Sequence, residues 1–248
     1  MESKLVDTLR MKHSPVAVVL TNDRPVEGIQ FKPGRQGCVA AMWLTASKGR
    51  SGFFDRDTFG CPGGGSGLGF GNCYAGFPIE RLLSTGGTAQ LSNGRTYDMH
   101  EGERFHRSPE ITKKWLEAFP FRNVPAEYVV FKPFAEASHD DPIALIMFLV
   151  NPDQLSALVT LAGFDRGAVE TSTAPWGAAC QSIAYAYAEA ERETPRGVIG
   201  FFDVSQRHRV ERDTLSFTVP YRLFLEMEAN VDESFFATDA WRELQRRQ

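Results

Sequence analysis

Residues 143–163, IALIMFLVNPDQLSALVTLAG, join two kinds of order within one stretch. The first eight are apolar without a break and are closed by Asn151 and Pro152, as a strand should be. Pro152 then stands near a helix start, where a missing N–H costs nothing in the first turn. The stretch therefore predicts a strand feeding directly into a helix.

Working outward, short β-branched or aromatic runs bounded by Pro, Gly or Asp predict further strands at 16–20, 128–131, 198–202 and 215–219. Helices are expected at 2–12, 39–48, 79–84, 109–118, 152–161, 180–193 and 221–228. In the sixth of these, Cys180, Ile183, Ala184 and Tyr187 share one helical stripe, which places the cysteine on the buried side. Strands and helices do not alternate cleanly, so the expected class is α+β, a mixed sheet with helices, rather than a doubly wound sheet.

Two parts of the chain echo each other. From Cys38 and again from Cys180, a cysteine opens an alanine-rich helical segment, GFFD follows (Gly52–Asp55 and Gly200–Asp203), and Pro78 or Pro220 precedes another helix. The order of these features raises an internal duplication into pseudo-symmetric, intertwined halves of one domain, about 1–125 and 126–248; the alternative is chance plus shared helix-start chemistry. A pseudo-twofold axis would bring the two cysteines together.

Hydrophobic residues make up 42% of the 248 and charged residues 23%, an ordinary composition for a folded protein. Against 27 basic residues stand 31 acidic ones, a net charge of −4 that gives no reason to expect nucleic acid or an anionic membrane as partner. The longest apolar run has eight residues, too few to cross a bilayer, and the N-terminus lacks an apolar signal core. These features lead to the expectation of a cytoplasmic protein, in which four cysteines read as reduced thiols or metal ligands rather than disulfides.

The chemistry concentrates at residues 60–76, GCPGGGSGLGFGNCYAG. This is no phosphate loop, since it has neither the Walker A ending nor a G-x-G-x-x-G window. Its glycines, Gly63, Gly64 and Gly65 among them, allow close backbone approach to a ligand and offer free N–H groups. Leu68, Phe70, Tyr74 and Phe77 argue that the run packs rather than floats.

Cysteine followed by proline, as at Cys61, is a setting found for iron–sulfur ligands. Cys38, Cys61, Cys73 and Cys180 contain no C-x₂-C pair, so any shared site has to be assembled by the fold. Cys38 and Cys180 at helix starts are expected to have depressed pKa values. Plain buried cysteines are the competing reading. Of the other candidates, His100 and His106 read as a solvated loop, and His13, His139 and His208 as surface residues. Asp55 and Asp203 read as caps or as paired carboxylates, and Arg207 and Arg209 as a basic turn or as ligands for a carboxylate or phosphate.

Several blocks, in order, resemble the uncharacterised ArCR family, known as domain of unknown function 169. They are the Pro-Val-Ala-Val start, Cys38, Cys61-Pro-Gly-Gly with Leu68-Gly69-Phe70, Phe131–Pro133, Asn151–Val159, Cys180 and the closing LSFTVPYRLF. The resemblance spans nearly the whole chain and implies recurring positions at Cys38, Cys61, Cys180 and Asp203. It implies no activity, and Cys73 fits no pattern of the family.

Three readings follow. The first is an iron–sulfur or other thiolate–metal protein held by Cys38, Cys61 and Cys180, with or without Cys73. It would either act on a small molecule at an open iron or carry electrons for a redox partner. The second is a metal-free small-molecule domain whose cleft, walled by residues such as Phe53, Phe54, Phe201 and Phe202, is closed by the glycine-rich segment. The third is a thiol enzyme using Cys61 or Cys180, for which no base is evident. Whether the chain is an enzyme, and in what oligomeric state it works, are left open by the residues.

Overall fold

A computed structural model describes residues 1–91 and 94–246. Its helices are α1 (Lys4–Leu9), α2 (Val39–Ala46), α3 (Pro62–Leu68), α4 (Ile79–Leu82), α5 (Pro109–Ala118), α6 (Pro152–Leu161), α7 (Gln181–Ala190), α8 (Tyr221–Ala229) and α9 (Asp239–Gln245). Its strands are β1 (Val16–Thr21), β2 (Gly52–Phe54), β3 (Thr88–Gln90), β4 (Thr96–Asp98), β5 (Tyr128–Pro133), β6 (Ile143–Val150), β7 (Ser172–Thr173), β8 (Gly197–Gly200) and β9 (Leu215–Pro220). The fold is α+β.

The join at Asn151 forms as its residues require. The Asn151 side chain accepts the Gln154 N–H at 2.9 Å while Gln154 Oε1 accepts the Asn151 N–H at 3.0 Å, a reciprocal cap around Pro152. In β6 successive side chains alternate between two faces, and both faces are covered. Leu145, Met147 and Leu149 enter one core cluster, while Ile146, Phe148 and Val150 enter the other. That is why the strand reads as unbroken apolar sequence.

The mixed sheet runs β2-β5-β1-β6-β9-β8-β7. Helices α1, α6, α8 and α9 cover one face, and α2 and α7 cover the other with Leu68 of α3. A separate two-stranded sheet, β3 with β4, lies outside.

The first three strands on each side follow the same order outward from the antiparallel β1–β6 seam, and β7, paired parallel with β8, has no counterpart on the first side. On one side β1 is followed by α2, then the outer strand β2, then β5 filling the gap between them. On the other side β6 is followed by α6 and α7, then β8, then β9 filling the gap. The ladders match as well, since Val16 faces Pro133 as Leu145 faces Pro220.

That register corrects the sequence echo. Counted from these prolines, Gly52 opposite Phe131 corresponds to Val198 opposite Thr218, so the two GFFD segments are offset by two residues. Pro220 likewise corresponds to Pro133, whereas Pro78 caps α4 outside the sheet. In this register the two GFFD segments do not occupy equivalent positions.

A second correction concerns the glycine-rich segment, expected as a loop. Residues 62–68 form α3, although four of the seven are glycines and each costs about 1 kcal/mol relative to alanine in a helix interior. Packing overrides that propensity. A Cβ on Gly67 would lie 2.3 Å from the Cys180 carbonyl oxygen, so only glycine lets α3 rest directly on the start of α7.

Candidate functional site

Three helices begin with a cysteine: Cys38 is the N-cap of α2, Cys61 of α3 and Cys180 of α7. All three line one cavity of about 350 Å³. Cys38 and Cys180 arrive from the two sides of the β1–β6 seam, and Cys61 arrives from the long excursion between β2 and β5.

The thiols are held in place by nearby polar groups. The Gly64 N–H donates to Cys61 Sγ at 3.3 Å, the Cys180 thiol donates to the Gly63 carbonyl at 3.5 Å, and the Cys38 thiol donates to Gln206 Oε1 at 3.5 Å. Burial pushes the Cys180 thiol well above its ordinary value, and the neighbouring Cys61, Cys38 and Asp203 push the same way. Burial also raises Cys61. The depressed pKa expected for Cys180 from its helix start is therefore overturned, because desolvation of a fully buried thiolate outweighs the helix end.

Cys73 stands apart. It does not line the cavity; its thiol contacts the Phe70 carbonyl at 3.6 Å and lies against Gly65 on α3. Of the glycines singled out, Gly63 lines the cavity, whereas Gly64 and Gly65 pack on Val39, Phe59 and Cys73. Together they make the segment a floor built into the core rather than a closing lid.

Asp203 is 5% exposed and lines the cavity. It caps the turn that follows it, with Oδ1 accepting the Ser205 N–H at 2.9 Å and the Ser205 hydroxyl at 2.7 Å. Phe201, two residues earlier, holds a positive φ of 70° and packs edge-on against Trp43, so the chain turns sharply just before Asp203 enters the cavity. Arg209 does not line the cavity. It donates to Gln206 Oε1 at 2.6 Å and so stands one residue behind Cys38. Asp55 caps its own turn, accepting from the Asp57 N–H and the Thr58 hydroxyl at Oδ1, and its Oδ2 accepts from the Gln30 amide at 2.9 Å.

The aromatic wall is not the expected one. Phe53, Phe54 and Phe201 are buried in the two cores, and neither they nor Phe202 line the cavity. Tyr74, Phe77, Tyr97, Phe105 and Trp176 do, and all but Trp176 come from residues 55–127. Tyr74 is fixed by the Gln181 amide, which donates to its hydroxyl at 2.6 Å. His106, expected in a solvated loop, packs against Trp176 and Trp115 behind this wall.

Glu103 is the one further carboxylate in the lining and was not anticipated from the sequence. It sits at the exposed rim; partial desolvation pushes its carboxyl up, and the Asp203 charge adds to the effect. No sequence signal distinguishes it from other surface glutamates.

Three soft thiols converge, the chemistry suited to iron–sulfur clusters. Among the described residues, no three His, Cys, Asp or Glu side chains stand close enough to hold a single ion.

Residues 4–230 match the model of the family described as DUF169, Uncharacterised ArCR. No curated protein and no solved structure matches the chain.

Proposed function

The chain belongs to the uncharacterised ArCR family, and from that premise we propose a cytoplasmic protein whose Cys38, Cys61 and Cys180 hold an iron–sulfur cluster at the floor of a small-molecule cavity. One observation carries the reading: three helix-capping cysteines, distant in sequence, line the same cavity. All four cysteines are free thiols, as suits a reducing compartment, and no helix among the described residues is long and apolar enough to cross a membrane.

Cys38, Cys61 and Cys180 would hold the cluster with three thiolates, and the iron left open would supply Lewis-acid chemistry toward a small molecule. The chain's own residues do the rest. The Gly64 N–H stabilises the Cys61 sulfur, Gln206 orients Cys38, and the aromatic wall keeps bulk water from the floor. Because Cys61 and Cys180 are protonated when metal-free, loading releases protons and strengthens as pH rises.

The experiment is anaerobic purification and reconstitution with iron and sulfide, read by visible absorption and by iron and sulfide content. A brown protein with stoichiometric iron supports the proposal. A folded, colourless, iron-free protein rejects it and favours the second reading, a metal-free ligand cavity. That alternative draws on the same raised thiol pKa values, since neutral buried thiols act as small hydrophobes and make an apolar floor.

A further inference from the structure

We infer that the ligand of this cavity is a small organic cation, an ammonium compound held between carboxylates and aromatic faces. The inference rests on the cavity being a ligand site, which both readings above share, and needs no metal.

Charge is the first argument. Among the described residues the cavity lining includes the carboxylates of Asp203 and Glu103 and no lysine, arginine or histidine. An anionic ligand would meet repulsion from both acids with no cation to answer it.

The state of Asp203 is the second. It is more than nine-tenths buried, yet its only hydrogen bonds among the described residues, from the Ser205 N–H and hydroxyl, both go to Oδ1. Among the described residues Oδ2 receives no donor and no basic side chain pairs with the group. A buried carboxylate without a countercharge is costly, and buried charges are ordinarily paired. Glu103 likewise has no hydrogen-bonding or ionic partner for its carboxylate among the described residues. A cation in the cavity would serve both.

The wall is the third. Phe77, Tyr97, Phe105 and Trp176 present aromatic rings to the same space, and aromatic faces attract cations, alkylated ammonium groups above all. A volume of about 350 Å³ lies in the range of small-molecule sites.

The test uses the full chain, metal-free and reconstituted in parallel, titrated with choline, tetramethylammonium and ethanolamine. The neutral isostere 3,3-dimethylbutan-1-ol and the anion 3,3-dimethylbutanoate are the controls, with binding read by calorimetry and tryptophan fluorescence. The expected result is saturable binding of at least one cation, about tenfold tighter than the neutral isostere, with the anion weakest. Asp203→Asn keeps an oxygen to accept from Ser205, and Glu103→Gln changes an exposed rim residue, so neither threatens folding. Each is expected to weaken the cation several-fold while leaving the neutral compound unchanged. Equal or better binding of the neutral or anionic compound, no saturable binding of any cation, or indifference of the cation to both variants overturns the inference. Iron content is measured on the same samples. An iron-free protein that still selects the cation refutes the cluster alone, and an iron-loaded protein that does not select it refutes the cation alone.

Discussion

The two sides of the β1–β6 seam share the order of their first three strands and differ in what they hang on it. Between β2 and β5 lie 73 residues, 55–127, whereas between β8 and β9 lie 14, 201–214. The long excursion carries Cys61, the glycine helix, Glu103 and most of the aromatic wall; the short one carries Asp203. The shared inner strand order therefore brings two cysteines to one cavity, and the long insertion supplies the third thiol and most of the aromatic wall. The sheet contacts differ in kind as well. Val129 and Phe131 of β5 correspond in register to Ser216 and Thr218 of β9, so the first side is packed with bulk and the second with small residues that let α7 sit close.

The largest effect is expected where the insertion meets the second side. Gly67→Val drives side-chain atoms into the Cys180 backbone, and unfolding by urea should show a loss of about 3 kcal/mol. A loss under ~0.5 kcal/mol would mean that α3 and α7 are not held by this contact.

How much of this was legible follows the same division. The strand–helix join at Asn151 and the five sheet strands near the seam could be read because local pattern and final environment agree there. Helix α5 was expected at 109–118 and forms there, with Pro109 opening it. The insertion was not legible. Helix α3 violates propensity and exists only through packing, β2 is three residues long, and the wall residues are unremarkable aromatics until the chain folds over the cavity. Cysteine and GFFD pointed to related halves, but the ladder showed the second signal to be out of register by two.

Smaller changes sharpen the comparison. Asn151→Ala removes the cap on α6, which has no counterpart before β2, and should cost about 1 kcal/mol in the same assay. An unchanged midpoint would show that Pro152 alone sets the helix start. In the opposite direction, Thr218→Val replaces a buried hydroxyl that has no partner with a methyl group, matching the apolar Phe131 side; a gain of about 1 kcal/mol is expected. A loss would mean that this hydroxyl is satisfied in solution.

The smallest effect is one of pH. Folded-state pKa values of Cys61 and Cys180 lie above the ordinary 9.0, so in the metal-free protein the stability they contribute is full below pH 9 and lost as pH rises through the folded values. A decline in melting temperature above pH 9, flattened in a Cys61→Ala, Cys180→Ala double variant, is the expected outcome. The same alkaline limb in both proteins would assign the decline to other groups.

Iron stoichiometry across four single variants, each reconstituted anaerobically and checked for folding, is the most direct measure of a cysteine-held site. Cys38→Ala, Cys61→Ala and Cys180→Ala are expected to lose the cluster and its visible absorption, while Cys73→Ala, whose thiol lies outside the cavity, keeps both. Retention of iron by any of the first three, or its loss from Cys73→Ala alone, would contradict a site shared by the two sides of the seam and the insertion between them.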